Sequence, residues 1–276
     1  MNFKDLSTRV GVAIVGIPLI LAAIYFGKLY FLALIDIILV LALKEFFNLA
    51  KCKGYQPMTW FGYLSALAIS WNFYFHHTRW LSAVILAILM IGLILQMLLG
   101  KDNAIANISI TIFGIFYLSL LSFFILLREI AVDSHVSYLT GAWLVVIVFA
   151  SIWLCDTGAY LVGSSFGKHP LFKRVSPKKT WEGAIGGLVA AIAGCIGLKY
   201  LLMPSLLGIS DCVIMGSIVG IFGQISDLIE SLFKRDAGVK DSSHILPGHG
   251  GIFDRFDSPI FVVPLVYLYL IWQVFV

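Results

Sequence analysis

Charge is what this sequence has least of. Only 12% of its 276 residues are Asp, Glu, Lys or Arg, about half the share that is typical of soluble domains. This scarcity excludes a water-soluble enzyme and a disordered, highly charged chain. The four cysteines form no CxxC pair and show no zinc-ligand spacing, so a disulfide scaffold and a zinc site are not expected. We predict that the cysteines are buried apolar side chains.

Short segments of alternating polarity are also lacking, which excludes a transmembrane β-barrel. Apolar residues instead make up 60% of the chain, and a helix that crosses a bilayer needs about 20 of them in a row. Nine charge-poor runs approach this length: Val10–Phe26, Leu29–Leu43, Trp60–Phe75, Leu81–Leu99, Ile108–Leu127, Tyr138–Cys155, Ala184–Met203, Val213–Ile229 and Ile260–Val276. The sequence therefore predicts an all-α polytopic membrane protein with about nine transmembrane helices.

The basic residues are distributed unevenly between the two sides that nine spans would create. Fifteen of the 19 Lys and Arg residues lie on the side of the N-terminus. The positive-inside rule then predicts a cytoplasmic N-terminus and an outer C-terminus. The membrane that we expect is a bacterial-type inner membrane. Nine of the 19 fall in two cytoplasmic loops, 163–181 and 231–258. This concentration indicates an anionic partner at the cytoplasmic surface.

Acidic residues lie within or at the ends of the apolar spans, namely Asp36, Asp156, Asp227 and Glu230. Each acid at a helix centre costs roughly 2.5–3.5 kcal/mol on insertion, so these groups must face a cavity, pair with a cation or bind a metal. In the eighth span, the spacing places Asp227, Glu230 and Lys234 on one helix face with Gln224 and Ser231. Two interpretations stay open: an internal Asp227/Glu230–Lys234 ion pair, or a water-filled cleft that binds a metal ion. For Asp36 we expect helix packing or a contact with Lys or Ser.

The first polar region contains CDTGAY at 155–160 and SPKKTWEG at 176–183. Lysines beside hydroxyl groups at the start of a helix suit a polyphosphate, because helix N-termini attract anions. The candidate phosphate-binding residues are Ser176, Lys178, Lys179 and Thr180. The stretch 163–168 is a poor P-loop, since only three residues separate its glycines and no Ser or Thr follows the lysine. A Walker-type NTPase is therefore excluded.

The second polar region runs from Ser231 to Asp257 and reads SLFKR, then four further residues, then KDSSHILPGHGGIFDRFD from Lys240 onward. It resembles the signature of the phosphatidate cytidylyltransferase (CDP-diacylglycerol synthase) family at every defined position. The CDTGAY and SPKKTWEG segments are also similar to this family. Because residues 1–137 carry no recognisable motif, we divide the chain into N-terminal membrane helices 1–5 (1–137) and a catalytic half with helices 6–9 (138–276).

The resemblance implies a Mg²⁺-dependent nucleotidyltransferase that transfers CMP from CTP to phosphatidic acid and releases pyrophosphate. The lipid phosphate is already an anionic nucleophile, so the barrier comes mainly from charge repulsion and alignment of oxygens, which cations relieve. The resemblance favours two cations, with a monovalent ion such as K⁺ as an alternative for the second. Mg²⁺ prefers oxygen ligands, and we choose Asp227 and Asp254 first, with Asp156 and Asp257 as further candidates.

The remaining candidates follow from the same motifs. The predicted catalytic residues are Asp227, Asp254, Lys234, Arg235, His249 and Arg255. The predicted substrate-binding residues are Ser176, Lys178, Lys179, Thr180, Lys240, Asp241, Gly250 and Gly251. For each basic residue, attraction to anionic lipid headgroups is the alternative, and for His249 it is loop packing.

Two other functions compete with this one. One is a related CTP-dependent enzyme acting on another lipid phosphate or a polyprenol, and the other is an ion-coupled transporter. Against a transporter, the charges concentrate at one face and no half-to-half repeat is visible. The expected partners are CTP, phosphatidic acid and membrane lipids, and no nucleic acid. Small residues in the seventh and eighth helices predict close packing, within the bundle or at a homodimer interface: Gly183, Gly187, Gly194, Gly216, Gly220 and Gly223.

Overall fold

Helices make up most of the protein. The computed structural model describes residues 3–99, 102–131, 137–203, 205–243, 245 and 250–273, with the backbone alone for 3–13 and 15. The α-helices within these residues are α1 (Phe3–Phe26), α2 (Lys28–Cys52), α3 (Thr59–His76), α4 (Leu81–Leu99), α5 (Ala104–Ser119), α6 (Phe123–Arg128), α7 (Leu139–Phe166), α8 (Trp181–Leu202), α9 (Ile209–Ile218), α10 (Gln224–Asp236) and α11 (Phe253–Gln273). A 3₁₀ turn (Leu120–Ser122) joins α5 to α6, and a π-helical turn (Val219–Gly223) joins α9 to α10.

These helices form nine continuous helical segments in the described part of the chain. Six segments there are long and apolar enough to cross a membrane: Leu81–Leu99, Ala104–Arg128, Leu139–Phe166, Trp181–Leu202, Ile209–Asp236 and Phe253–Gln273. Helix α2 is not among them, since it carries Asp36, Lys44 and Glu45 along its apolar stretch. The predicted polytopic helical membrane protein is confirmed, whereas the number of nine spans and the orientation of the termini stay predictions.

A short β-hairpin interrupts the helices between α7 and α8. Strand β1 (Pro170–Phe172) pairs antiparallel with β2 (Ser176–Thr180), and Phe172 lies opposite Ser176. The sequence predicted only a loop here, because SPKKT shows none of the alternating apolar and polar positions that mark a half-buried strand. The fold is therefore helical except for this hairpin, within the described residues.

The chain divides into two compact units that are each discontinuous in sequence. Unit 1 comprises Met1–Leu126 and Phe233–Phe256, and unit 2 comprises Leu127–Leu232 and Asp257–Val276. The division predicted at residues 137 and 138 rests on motif content rather than on packing, so it stays a prediction.

Unit 1 has an aromatic core. The ring of Phe46 on α2 lies 5.8 Å from Phe113, 6.4 Å from Tyr117, 5.8 Å from Phe233 and 6.3 Å from Phe253, measured between ring centroids. Tilted and edge-on pairs at such distances are favourable. Since Phe233 and Phe253 lie near the two ends of the second motif region, this core fixes both ends of that region within unit 1.

Unit 2 is built on closely packed helices whose contacts require glycine. A Cβ at Gly187 on α8 would lie 2.9 Å from the carbonyl oxygen of Cys155 on α7, and one at Gly216 would lie 2.5 Å from Cα of Ile192. Five of the six predicted small positions meet a neighbouring helix of unit 2 in this way, whereas a Cβ at Gly223 would make only an ordinary contact with Val262 at 3.4 Å. Packing within the bundle therefore explains these glycines, and a homodimer interface stays a prediction without support from them.

Two smaller predictions can be compared with the structure. Cys155, Cys195 and Cys212 are buried as expected, but Cys52 is exposed, because it is the last residue of α2 and lies beyond the packed part of the helix. Asp36 accepts hydrogen bonds from Ser70 Oγ at 2.5 Å and from Trp71 Nε1 at 2.8 Å. The expected helix-packing contact with a serine is thus confirmed.

Candidate functional site

A cavity of about 520 Å³ lies in unit 2, among α7, β2, α8 and α10. It is lined by Asp156, Ala159, Tyr160, Gly163, Ser164, Lys178, Lys179, Thr180, Gly183, Ala184, Gln224 and Asp227. Both polar motifs of this unit therefore open into one space. A cavity of this size, with few but convergent charged groups, is typical of a small-molecule site.

Close contact between α7 and α8 creates one wall of this cavity. A Cβ at Gly183 would meet the carbonyl oxygen of Ala159 at 2.8 Å and Cα of Gly163 at 3.1 Å. Only glycine allows the two backbones to approach so closely. As a consequence, the CDTGAY segment on α7 and the N-terminus of α8 face the same space.

The β-hairpin holds two lysines at the cavity and is fastened to α8. Thr180 is the N-cap of α8, where its Oγ1 accepts a hydrogen bond from Gly183 N at 3.2 Å. The carboxylate of Glu182 accepts hydrogen bonds from the backbone N–H groups of Lys168 and His169, at 3.1 and 3.3 Å. Its other oxygen lies 2.6 Å from the His169 Nδ1 atom. The hairpin is thereby braced on both sides of the lysines that it carries.

Three carboxylates cluster at α10 and α11. One oxygen each of Asp227, Glu230 and Asp257 lies within 4.8 Å of the other two. Glu230 is fully buried, and Asp227 and Asp257 are half-buried. Asp227 and Glu230 share a face of α10 because they are three residues apart. The π-helical turn immediately precedes this helix, and such turns often occur beside functional sites.

Positive charge reaches the acidic cluster from the hairpin. Lys179 Nζ donates to the Asp227 carboxylate in an ion pair, and Ser231 Oγ donates to the other oxygen of Asp227 at 3.4 Å. The side chains of Lys179 and Asp227 keep 28% and 29% of their exposure. This pair is therefore accessible to a ligand in the cavity rather than sealed in the core.

The acidic cluster fits a divalent cation by its chemistry. Mg²⁺ takes oxygen ligands only, commonly one or two carboxylates together with substrate phosphates. Asp227, Glu230 and Asp257 offer such oxygens close together, and Asp227 also opens to the cavity. Asp156 lines the cavity as well. The described residues thus hold a donor set that matches the predicted cation.

The predicted residues of the second motif belong mostly to unit 1, where Asp254 is the centre of a hydrogen-bond network. Its Oδ1 accepts from Lys234 Nζ at 2.7 Å, and its Oδ2 accepts from Ser242 N at 3.1 Å and from Gly251 N at 2.7 Å. Gly250 has a φ of +82°, which favours glycine. Asp254 belongs to unit 1 and Asp227 to unit 2. The predicted Asp227–Asp254 ligand pair therefore stays a prediction.

The other predicted residues are placed as follows. Arg235 donates to the Val239 carbonyl at 3.1 Å, and Lys240, Asp241 and Arg255 are exposed in unit 1. Ser176 begins β2 but does not line the cavity in unit 2. His249 lies outside the described residues.

Several residues at these sites were not predicted. Glu230 was placed on one helix face with Asp227 but was not named as a metal ligand, although its i, i+3 relation to Asp227 was a signal for that role. Gln224 was placed only on the polar face of the eighth span. Its Nε2 donates to the Ala184 carbonyl at 3.1 Å. Glu182 was given no role of its own within the SPKKTWEG segment. Glu45, described below, left no local signal, because its partners are distant in sequence.

Comparison with known proteins agrees with the motifs. Residues 7–272 match the sequence profile of the Cytidylyltransferase family. A phosphatidate cytidylyltransferase from Synechocystis sp. is 34% identical over 288 residues, covering 95% of this chain and 96% of the relative. The phosphatidate cytidylyltransferases of Staphylococcus haemolyticus and Staphylococcus aureus are 48% and 47% identical over 131 and 133 residues, about half of each chain.

The match is broad as well as specific. The family profile covers almost the whole chain, including the N-terminal helices in which no motif was recognised. The Synechocystis relative is matched almost from end to end. This chain therefore belongs to the cytidylyltransferase family, and the resemblance to phosphatidate cytidylyltransferases that its sequence predicted is confirmed.

Proposed function

We propose that this protein is an integral membrane nucleotidyltransferase that transfers CMP from CTP to phosphatidate. The products are CDP-diacylglycerol and pyrophosphate. Family membership supports this reaction. The structural observation that carries it is the position of Asp227, which belongs to the acidic cluster, pairs with Lys179 and lines the cavity of unit 2. The cavity therefore offers a carboxylate ligand for a metal ion beside a lysine that can bind phosphate.

Asp227, Glu230 and Asp257 are the proposed ligands of Mg²⁺, and the resemblance implies a second cation, for which K⁺ is one choice. When bound, Mg²⁺ supplies positive charge that offsets the repulsion between two phosphates. The protein's part is to fix its three carboxylates in advance. Asp227 and Glu230 are fixed by one helix face, and the chain at Asp257 is fixed by Ser226 Oγ, which donates to its carbonyl at 2.6 Å.

Lys178, Lys179 and the N-terminus of α8 are the proposed binding site of the CTP phosphates. Lys179 can donate to a phosphate oxygen from the position in which it now donates to Asp227. The positive end of the α8 helix dipole adds to this attraction. Ser176 and Thr180 are included because they are the first and last residues of the strand that carries the two lysines. Thr180 also lines the cavity.

The reaction needs no protein nucleophile. An anionic oxygen of the phosphatidate attacks the α-phosphorus of CTP, and the bond from that phosphorus to the bridging oxygen of pyrophosphate breaks. The attacking phosphate is already deprotonated, so no general base is required. The chain's contribution is to align the two phosphates and to neutralise their charge, which is the dominant need in such transfers.

The residues of the second motif are proposed to act in the same reaction. Lys234, Arg235, Lys240, Asp241, His249, Gly250, Gly251, Asp254 and Arg255 keep their predicted catalytic and substrate-binding roles. For Asp254, the hydrogen bonds from Lys234, Ser242 and Gly251 support a role in holding the loop. Its role as a metal ligand together with Asp227 is a separate proposal, which calorimetric titration of the Asp254→Asn variant with Mg²⁺ tests.

The proposed membrane arrangement follows from the basic residues. Nine spans, a cytoplasmic N-terminus and an outer C-terminus would put the hairpin lysines and the second motif on the cytoplasmic side, where CTP is made. The six long apolar segments support membrane insertion. The placement of the active site at the cytoplasmic face is supported by the concentration of basic residues in two loops.

The direct test is product analysis with the purified full-length protein in detergent. Radiolabelled CTP and phosphatidate should give labelled CDP-diacylglycerol and an equal amount of pyrophosphate with Mg²⁺, and no product with EDTA. UTP, ATP and GTP, together with an ether-lipid phosphate and a polyprenyl phosphate, serve as competing substrates. Preference for another lipid phosphate would establish the related enzyme instead. Ion flux in proteoliposomes without CTP turnover would contradict the proposal.

A further inference from the structure

Glu45 is a buried acid outside every predicted motif. It lies on α2 in unit 1 and is 0% exposed. Removing a carboxylate from water is costly unless its oxygens receive hydrogen bonds in return. The partners of Glu45 therefore indicate what the residue is for.

Each carboxylate oxygen of Glu45 accepts two hydrogen bonds from the second motif region. Oε2 accepts from Ser242 Oγ at 2.9 Å and from Phe253 N at 2.7 Å. Oε1 accepts from Ser243 Oγ at 2.5 Å and from Ile252 N at 3.1 Å. The donors come in two adjacent pairs, one on each side of residues 244–251. A single carboxylate thus ties the two ends of this loop together.

The same contacts reach the predicted catalytic residues within unit 1. Ser242 Oγ lies 3.0 Å from Asp254 Oδ2 as well as 2.9 Å from Glu45, and Ser242 N donates to that oxygen of Asp254 at 3.1 Å. Lys234 Nζ donates to the other oxygen of Asp254 at 2.7 Å. Glu45, Ser242, Asp254 and Lys234 therefore form one connected chain of polar groups.

The loop backbone is fitted closely around this carboxylate. A Cβ at Gly251 would lie 2.0 Å from Ser242 Oγ and 2.5 Å from Glu45 Oε2. Glycine is required there because the backbone passes directly against the Glu45 side chain. The signature glycine and the α2 carboxylate are thus parts of the same arrangement.

We propose that Glu45 is a positioning residue for the transfer reaction, which fixes residues 242–243 and 252–253 so that Asp254 and Lys234 are held in their working orientation. The inference rests on the proposed function. Glu45 itself is not proposed to touch CTP or phosphatidate, since its oxygens are occupied by the loop. Its effect on the reaction is transmitted through Ser242 and the backbone of Ile252 and Phe253.

Glu45→Gln is the first test, because the amide keeps the shape but replaces one acceptor by a donor that faces other donors. We expect kcat to fall at least about tenfold while KM for CTP changes less than about threefold. Asp36→Asn is the matched control, since Asp36 is an acid on the same helix that contacts Ser70 and Trp71 instead of the loop. Its kcat should equal that of the unaltered protein.

Ser243 provides a milder test should Glu45→Gln fold poorly. Ser243→Ala removes one donor to Glu45 and should lower kcat severalfold, whereas Ser243→Thr keeps the hydroxyl and should restore it. Melting temperatures of both variants in detergent should be similar. A melting temperature that falls with unchanged kcat would show that the contact only stabilises the fold, and this would overturn the proposal.

A double-variant cycle checks the route of the effect. If Glu45 acts through Ser242, then Ser242→Ala should lower kcat much less in the Glu45→Gln background than alone. Multiplicative losses would overturn this route. The proposed function and the positioning role can fail separately. If the unaltered protein makes no CDP-lipid, the proposed function is contradicted. If the unaltered protein is active and the Glu45→Gln and Ser243→Ala variants have the same kcat, only the positioning role is contradicted.

Discussion

Lys179 on strand β2 forms an ion pair with Asp227 on helix α10, and Asp227 is at the same time one of three carboxylates whose oxygens lie within 4.8 Å of one another. Carboxylates this close repel each other unless positive charge lies beside them. Lys179 supplies part of that charge, and a bound divalent ion would supply more. The lysine and the ion therefore act on the same carboxylate.

This relation makes Lys179→Ala informative. We expect kcat/KM for CTP to fall at least about tenfold, because a charge-assisted contact to the triphosphate is lost. Binding of Mg²⁺ without CTP, measured by calorimetry, should be no weaker than in the unaltered protein, because the competing cation has been removed. Lys173→Ala is the control, since Lys173 is exposed on the hairpin and does not line the cavity. An unchanged CTP dependence in Lys179→Ala would assign this lysine to structure or to lipid headgroups.

The acidic cluster predicts a second set of results. Asp227→Asn, Glu230→Gln and Asp257→Asn should each raise the Mg²⁺ concentration for half-maximal activity at least about tenfold, as losses around metal sites commonly do. Asp236→Asn is the control on the same helix, because Asp236 is exposed and pairs with Lys53 at 3.2 Å. A Mg²⁺ dependence that none of the three variants changes would remove the cluster from the mechanism.

Asp254→Asn completes this series. Its carboxylate accepts hydrogen bonds from Lys234, Ser242 and Gly251 in unit 1, which suits a residue that holds the loop. An Mg²⁺ affinity that falls as far as in Asp227→Asn would instead establish Asp254 as a metal ligand. Calorimetry without substrate separates the two roles, because a loop residue alters kcat without altering the affinity for the ion.

Helices and motifs could be predicted because their signals are local. Long apolar runs are typical of membrane helices, and the nine predicted runs correspond to nine continuous helical segments in the described residues. The lysines of SPKKT and the acid at position 227 were recognisable from residue type and spacing. Their ion pair joins positions 48 residues apart, and only the resemblance indicated that both belong to one site.

The rest could not be predicted, because it depends on contacts between distant parts of the chain. Ser243 donates to Glu45 across 198 residues, and nothing near Glu45 distinguishes it from an ordinary helix-end acid. The hairpin was missed because its second strand is polar on both faces. The exposure of Cys52 depends on where α2 ends, which apolar periodicity does not define sharply.

Helix packing in unit 2 gives a prediction about stability. Gly187→Ala should lower the free energy of unfolding by about 1–3 kcal/mol, because its Cβ would press against the carbonyl of Cys155 at 2.9 Å. Gly197→Ala on the same helix has no atom within 4 Å of the added Cβ, so its stability should change by less than about 1 kcal/mol. Thermal unfolding in detergent measures both, and equal melting temperatures would contradict the packing role.

The predicted membrane orientation can be tested by labelling single cysteines at exposed positions. Cys52 is exposed while the other three cysteines are buried, so Cys52→Ser gives a background with little labelling. Arg79→Cys and Lys173→Cys then place single exposed thiols at positions that nine spans assign to opposite sides. A membrane-impermeant maleimide should label Arg79→Cys in intact cells, and should label Lys173→Cys only after permeabilisation. Labelling of both in intact cells would put the hairpin outside, away from cytoplasmic CTP, and the reverse pattern would invert the whole topology.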